Sequence, residues 1–352
     1  MTSASLNDAS EFEIIEVSEG ENERGEDRIA ALFIRDVLTA DESYIKKKRQ
    51  QRLEKIMRPQ SIYPKKEGCF MKSVLLIGQS NMAGRGFLQD VPMIYNENIK
   101  MLRNGRWQMM AEPVHVDRHI AGVGPATSFA QAWTEDHPGE SIGLIPCAEG
   151  GSSIDEWAVD SVLTRHAVSE ATFAMETSEI VGILWHQGES DSHGARYQAY
   201  EEKLISLFNH LRKELNAPDI PIMIGELGHY LGEDGFGKNA VEYKQINQIL
   251  FNVAHAENNV YFVTAKGFTA NPDGIHTDAV SQRKFGLRYY EAFSKQMHVL
   301  DVLDMEHEWI DKEAKRELTK NERIFVQSKK FALGQMSFEE FSIRVSHINE
   351  SE

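Results

Sequence analysis

Five short apolar runs punctuate the middle of the chain: SVLLIG (73–78), SIGLIP (141–146), IVGILW (180–185), IPIMIG (220–225) and VYFV (260–263). None alternates apolar with polar positions, so none reads as a strand with one wet face. A continuous apolar run rich in β-branched residues suits a strand covered on both faces, as in a parallel sheet. Between the runs the hydrophobic period changes to that of a helix, over 126–136, 195–215, 240–256 and 279–298. This alternation predicts an α/β fold, a doubly wound three-layer α/β/α sandwich with a five-stranded parallel sheet and right-handed crossovers, spanning 71–299.

The flanks have a different pattern. Residues 1–70 read as a charged, partly helical N-terminal extension: an acidic stretch, then KKKRQQRLEK (46–55). Ile29, Leu32, Phe33 and Val37 recur at helical spacing and place one or two helices within 27–56. Neighbouring runs of opposite charge read as solvated helix faces that compensate each other, rather than as a nucleic-acid patch. Residues 300–352 form a C-terminal helical extension. Thr319 with Glu322, and Ser337 with Glu340, each fit a capping box, and Gly334 is a stop between two helices. Both flanks carry apolar stripes without an obvious partner, so they are expected to pack together as an accessory element.

Composition narrows the function. A formal net charge of −16 argues against nucleic acid or an anionic membrane as a partner, since either selects a basic surface. The two cysteines, Cys69 and Cys147, are too few for a disulfide framework. The start of the chain shows neither a basic n-region nor an apolar h-region, and no apolar run reaches the ~18 residues of a membrane span. A cytoplasmic protein is expected. The oligomeric state has no signature in the sequence.

The unusual segments follow the apolar runs, where an open parallel sheet binds its ligands. They are GQSNMAGRG (78–86), CAEGGSSIDEW (147–157), HQGESDSHG (186–194) and NPDGIHTD (271–278). Ser80 is the candidate nucleophile; a serine after a strand is also a common helix N-cap. A serine hydroxyl needs an adjacent base, and the base needs a third group to hold its tautomer. Asp273 and His276, three residues apart on one loop, can supply both. Acyl transfer also requires donors for the developing oxyanion. The backbone N–H of Ser80, that of Gly151 or its neighbour Gly150, and the side-chain amide of Gln187 are the natural set. Gln79, Asn81, Glu189 and Trp157 are assigned to substrate binding, with Trp157 and Trp185 suited to stacking on sugar rings. For Glu189 and Asp191 a role within the loop is an equal alternative.

GQSNMAG, GVGPATSFA, GGSSIDEW, WHQGESD and DGIHTD together resemble the sequence blocks of carbohydrate acetylesterases in the SGNH-hydrolase superfamily. The nearest groups are the sialate O-acetylesterase-like proteins and carbohydrate esterase family six, which includes acetylxylan esterases. The resemblance covers roughly 71–299. It implies a flavodoxin-like three-layer fold, a Ser80–His276–Asp273 triad, Ser80, Gly151 and Gln187 in the oxyanion hole, an acetylated carbohydrate as substrate, and no cofactor or metal. Gln79 stands where many members of the superfamily carry Asp, and Gln187 where many carry Asn; both changes are typical of this branch.

Other readings are weaker. His186, Glu189, Asp191 and His193 fit no metal-ligand spacing. Gly84-x-Gly86 lacks the rest of a nucleotide-binding fingerprint. An esterase of other small acyl esters, and a non-catalytic carbohydrate-binding protein on the same fold, are the alternatives.

Overall fold

The structure is a computed structural model that describes residues 71–350. The N-terminal extension, with the helices expected within 27–56, lies outside the described residues. Seven strands form one sheet: β1 (Met71–Gly78), β2 (Ile99–Arg103), β3 (Arg106–Met109), β4 (Ile142–Pro146), β5 (Ser178–His186), β6 (Ile222–Gly225) and β7 (Val260–Val263). Their order is β3-β2-β4-β1-β5-β6-β7, and every neighbouring pair is parallel except β2 with β3. All five apolar runs are strands of this sheet, and the fold is the expected α/β sandwich.

The strand count of five is corrected to seven by a hairpin the apolar pattern does not reveal. β2 and β3 are joined by Asn104-Gly105, both with positive φ (51° and 69°), the backbone that a tight two-residue hairpin turn requires. β3 is half-wet, with Arg106 and Gln108 exposed, so it shows no apolar run.

Six helices complete the sandwich: α1 (Ser80–Ala83), α2 (Ala126–Asp136), α3 (Val162–Ala174), α4 (Tyr200–Glu214), α5 (Tyr243–Ala256) and α6 (Ala279–Lys295). Helix α3 was not legible because its buried stripe is Thr164, Ala167, Ala171 and Ala174, small side chains that give little periodic signal. Alternate strand residues feed two cores. Leu75, Ile77, Ile183 and Ile224 pack with α3, α4 and α5. Val74, Leu76, Leu184 and Met223 pack with α2 and α6 on the other face. Burial on both faces explains why the strands read as unbroken apolar runs.

Three further helices follow: α7 (Glu306–Glu313), α8 (Lys320–Ala332) and α9 (Phe338–Glu350). The capping box at Thr319 is complete, with Glu322 N–H donating to Thr319 Oγ1 (3.3 Å) and Thr319 N–H to Glu322 Oε2 (3.0 Å). At Ser337 one half is present, Glu340 N–H to Ser337 Oγ at 3.1 Å. Gly334 turns the chain between the helices with φ of 69°. The C-terminal extension is fastened to the sandwich. Arg288 of α6 pairs with Glu306, Gln131 of α2 donates to Glu313 (3.0 Å), and the Glu97 N–H donates to Glu322 (3.0 Å). No helix among the described residues is long and apolar enough to cross a membrane.

Candidate active site

Connections leave the central strand β1 toward both edges of the sheet, so the loops after β1, β4, β5 and β7 converge over its carboxyl end. Ser80 opens α1 directly after β1 and is 5% exposed. It lines a cavity of about 450 Å³ together with Gln79, Gly151, Ser190 and His276. A second cavity of about 380 Å³ adjoins it, sharing Arg85, Ile120 and His276 and reaching Asp273.

Asp273 and His276 are joined as their spacing predicted. His276 Nδ1 lies 2.7 Å from Asp273 Oδ2, while Oδ1 accepts the N–H groups of Ile275 (3.1 Å) and His276 (3.0 Å). Burial opposes the Asp273 charge, but these donors outweigh it and hold the carboxyl below its ordinary range. With Nδ1 committed to the carboxylate, Nε2 is the ring atom left for other chemistry.

The backbone donors divide clearly. Gly150 N–H is spent on Asp117 Oδ2 at 2.9 Å. Gly151 N–H has no partner among the described residues, and an added Cβ there would meet nothing within 4 Å. Of the two glycines it is Gly151 that faces the cavity with a free donor. Ser80 N–H, first in its helix, has no partner within the helix either.

The two glutamines sit differently from expectation: the Gln187 amide is engaged inside the protein, and it is Gln79 that lies at the cavity. Gln187 is fully buried and absent from the cavity wall. Its Nε2 sits 2.6 Å from Asp191 Oδ2, 3.0 Å from Ser152 O and 3.1 Å from Gln79 Oε1. All three neighbours are acceptors, so the amide orientation is fixed and no N–H remains for an oxyanion. Gln79 does line the cavity. Its Oε1 accepts from Gln187 Nε2, from Gly188 N–H (3.2 Å) and from Ser190 N–H (3.3 Å), and its own Nε2 has no partner among the described residues. The amide donor offered to the cavity therefore belongs to Gln79. Sequence motifs place both side chains nearby but carry no information on which amide is tied down.

Three residues assigned to substrate binding are engaged inside the protein instead. Asn81 is 1% exposed and bonds Glu189, Ile275 and Thr277. Glu189, 2% exposed, accepts from Asn81 Nδ2 (2.5 Å) and lies 3.1 Å from His186 Nε2. Burial opposes its charge, but His186 and Asn81 outweigh burial and hold its pKa below the usual range. Trp157 donates to Ser152 Oγ (2.9 Å) and packs edge-on against Trp185, 5.7 Å between centroids, so both indoles are core and neither lines the Ser80 cavity. Asp191 works within the loop, accepting from Gln187 and from Ile154 N–H at 2.8 Å.

Two parts of the cavity wall have no counterpart in the sequence reading, the segment that carries Phe236 and the loop after β3. The loop after β3 brings Arg118, His119 and Ile120 to the cavity. Arg85 and Asp117 form a buried pair at 2.6 Å, and Arg118 pairs with Glu149 at 2.6 Å. No local motif announces this loop; its place is set by the hairpin that precedes it. Among the described residues no group of three or more His, Cys, Asp or Glu is arranged to hold a metal.

A parallel-dominated sheet with these blocks at its strand ends is the architecture that the resemblance to SGNH hydrolases implies. The family model described as carbohydrate esterase, sialic acid-specific acetylesterase, matches residues 71–295, and the chain belongs to that family of carboxylic ester hydrolases. A probable carbohydrate esterase of Arabidopsis thaliana is 33% identical over 246 residues, covering 62% of this chain and 88% of the relative. A solved Arabidopsis thaliana structure superposes with a TM-score of 0.58 at 29% identity, covering 64% of this chain and 99% of that one. NanS, at 18% identity and a TM-score of 0.54, covers 64% of this chain and 97% of its own, and shares the fold.

Proposed function

We propose that the chain removes acetyl groups from O-acetylated carbohydrates through an acyl-enzyme formed on Ser80. The observation that carries this reading is the shared cavity of Ser80 and His276, with His276 Nδ1 held by Asp273 at 2.7 Å. In this scheme His276 Nε2 takes the Ser80 proton as Oγ attacks the acetyl carbonyl. Asp273 keeps the other ring nitrogen protonated and stabilises the imidazolium. The negative charge that develops on the carbonyl oxygen is met by Ser80 N–H, Gly151 N–H and Gln79 Nε2. Collapse of the tetrahedral intermediate breaks the bond to the sugar oxygen, which leaves with the proton from His276. Water, deprotonated by His276, then attacks the acetyl-serine, releasing acetate and restoring Ser80.

The test is acetate release from acetylated xylo-oligosaccharides, O-acetylated sialic acids and a simple aryl acetate. Ser80→Ala should fold normally and lose hydrolysis of every active substrate by several orders of magnitude. Near-full activity of that variant removes Ser80 from the mechanism. Hydrolysis of the aryl acetate alone removes the carbohydrate.

A further inference from the structure

Phe236 is 79% exposed, the most exposed large apolar side chain among the described residues, yet it lines the cavity of Ser80 and His276. Ile120, 68% exposed on the loop after β3, lines the same cavity. A large apolar side chain left in water is an ordinary surface event singly, but two around one reactive serine are a feature. The backbone under Phe236 is not loose. Its N–H donates to Asp273 O at 2.7 Å, and Gly232 N–H donates to Gly237 O at 3.0 Å. The approach is so close that a Cβ on Gly235 would stand 2.1 Å from Asp273 O, and one on Gly237 2.0 Å from Gly274 O. The segment is therefore moulded onto the turn that carries Asp273 and His276, and it presents the phenyl ring from a fixed base.

The charged groups around the cavity are already paired. Arg85 is held by Asp117, and Arg118 by Glu149 and Gly150 O. Indoles that would stack on a sugar are in the core. The exposed large apolar side chains on the cavity wall are Phe236 and Ile120. A pyranose presents an apolar C–H face that fits such a surface, whereas a small acyl group has no face to stack.

We infer that Phe236 and Ile120 clamp the pyranose ring that bears the acetyl group, orienting its ester over Ser80 and making Phe236 a specificity-determining residue. This rests on the carbohydrate reading above. The second cavity, which shares Ile120 and His276, adjoins this space.

The experiment compares wild type, Phe236→Ala and Phe236→Trp on three esters: an O-acetylated methyl pyranoside, ethyl acetate and ethyl butyrate. Phe236→Ala should melt with wild type and lose roughly tenfold in kcat/KM on the acetylated pyranoside, the scale of one lost ring contact. Ethyl acetate should stay within about twofold of wild type, and Phe236→Trp should keep the pyranoside activity. An equal fall on ethyl acetate would make the side chain a support of the Asp273 turn and overturn the clamp. A fall confined to ethyl butyrate would place the ring against the acyl chain and overturn it too. Unchanged pyranoside kinetics overturn the clamp and leave the carbohydrate reading standing. Wild type that cleaves ethyl acetate and not the pyranoside removes the carbohydrate reading itself.

Discussion

Asn81 grips the chain on both sides of His276: its Nδ2 donates to Ile275 O at 3.1 Å and its Oδ1 accepts Thr277 N–H at 2.9 Å. The same Nδ2 lies 2.5 Å from Glu189 Oε1, and Glu189 in turn meets His186 at the end of β5. Asn81 follows Ser80 on α1, so one short helix carries the candidate nucleophile and the clamp on its candidate base. The distance between the two groups is thereby set by adjacent residues rather than by loops alone.

Loss of that clamp should act on rate before binding. Asn81→Ala is expected to lower kcat about 10²-fold, the cost of a small misplacement of reacting groups, with KM little changed. Stopped-flow and steady-state kinetics on an aryl acetate check it. A wild-type kcat would show that the His276 loop holds its place without Asn81.

The glutamine pair makes an unequal prediction. Gln79→Ala removes the unbonded amide at the cavity and should cost roughly 10²–10³-fold in kcat, the loss of one oxyanion donor. KM should move little, because that contact strengthens in the transition state. Gln187→Ala removes only one of three donors to Gln79 Oε1, so its rate defect should be smaller, accompanied by a lower melting temperature. Measuring kcat and Tm for both variants decides the order. A larger rate loss in Gln187→Ala reverses the assignment.

How far the sequence reached depends on the range of the interaction. Strands β1, β4, β5, β6 and β7 were legible because burial between two helical layers writes an unbroken apolar run, and Asp273 with His276 because both partners sit on one turn. The β2–β3 hairpin was written only in Asn104-Gly105, two residues between strands of mixed polarity. Asn81, Glu189 and Trp157 were assigned to ligand because polar and aromatic residues beside a nucleophile usually face one. Their partners are 108 residues away for Asn81 with Glu189, and such separations leave no local trace. The contrast between Gln79 and Gln187 turns on the acceptors around one amide, a property of the folded site alone.

The C-terminal extension hangs on a buried ion pair. Arg288 Nε lies 2.5 Å from Glu306 Oε1 and Nη2 3.0 Å from Oε2, with both side chains 1% exposed. The same guanidinium donates to the carbonyls of Thr264 and Lys266, each at 2.9 Å. Arg288→Ala leaves a buried carboxylate without its cation and should cost about 3–5 kcal/mol. Arg288→Met with Glu306→Leu should recover much of that. Denaturant unfolding of the single and double variants tests this, and a single variant within about 1 kcal/mol of wild type would contradict it.

Acid should destabilise the protein through His115 before it reaches the carboxylates. His115 is fully enclosed beside Arg85 and Asp117, and its pKa is lowered to about 4. Burial is the main cause; Asp117 pulls the pKa up and Arg85 pushes it down. The folded protein therefore keeps this ring neutral at pH values where the unfolded chain, titrating near 6.5, has already bound a proton. The unfolded state binds the extra proton between those two values, so stability falls as pH drops from about 6.5 to about 4 and is lost by about 3 kcal/mol across the window. Asp273 acts in the same sense at lower pH: its depressed pKa adds stability above the unfolded carboxyl value, lost only as pH falls through the folded one. The two contributions occupy different windows. Urea midpoints measured from pH 7 to pH 4 should decline steadily in wild type, and His115→Gln should flatten that decline while leaving the fall below pH 4 in place. An unchanged slope in the variant would take the proton uptake away from His115.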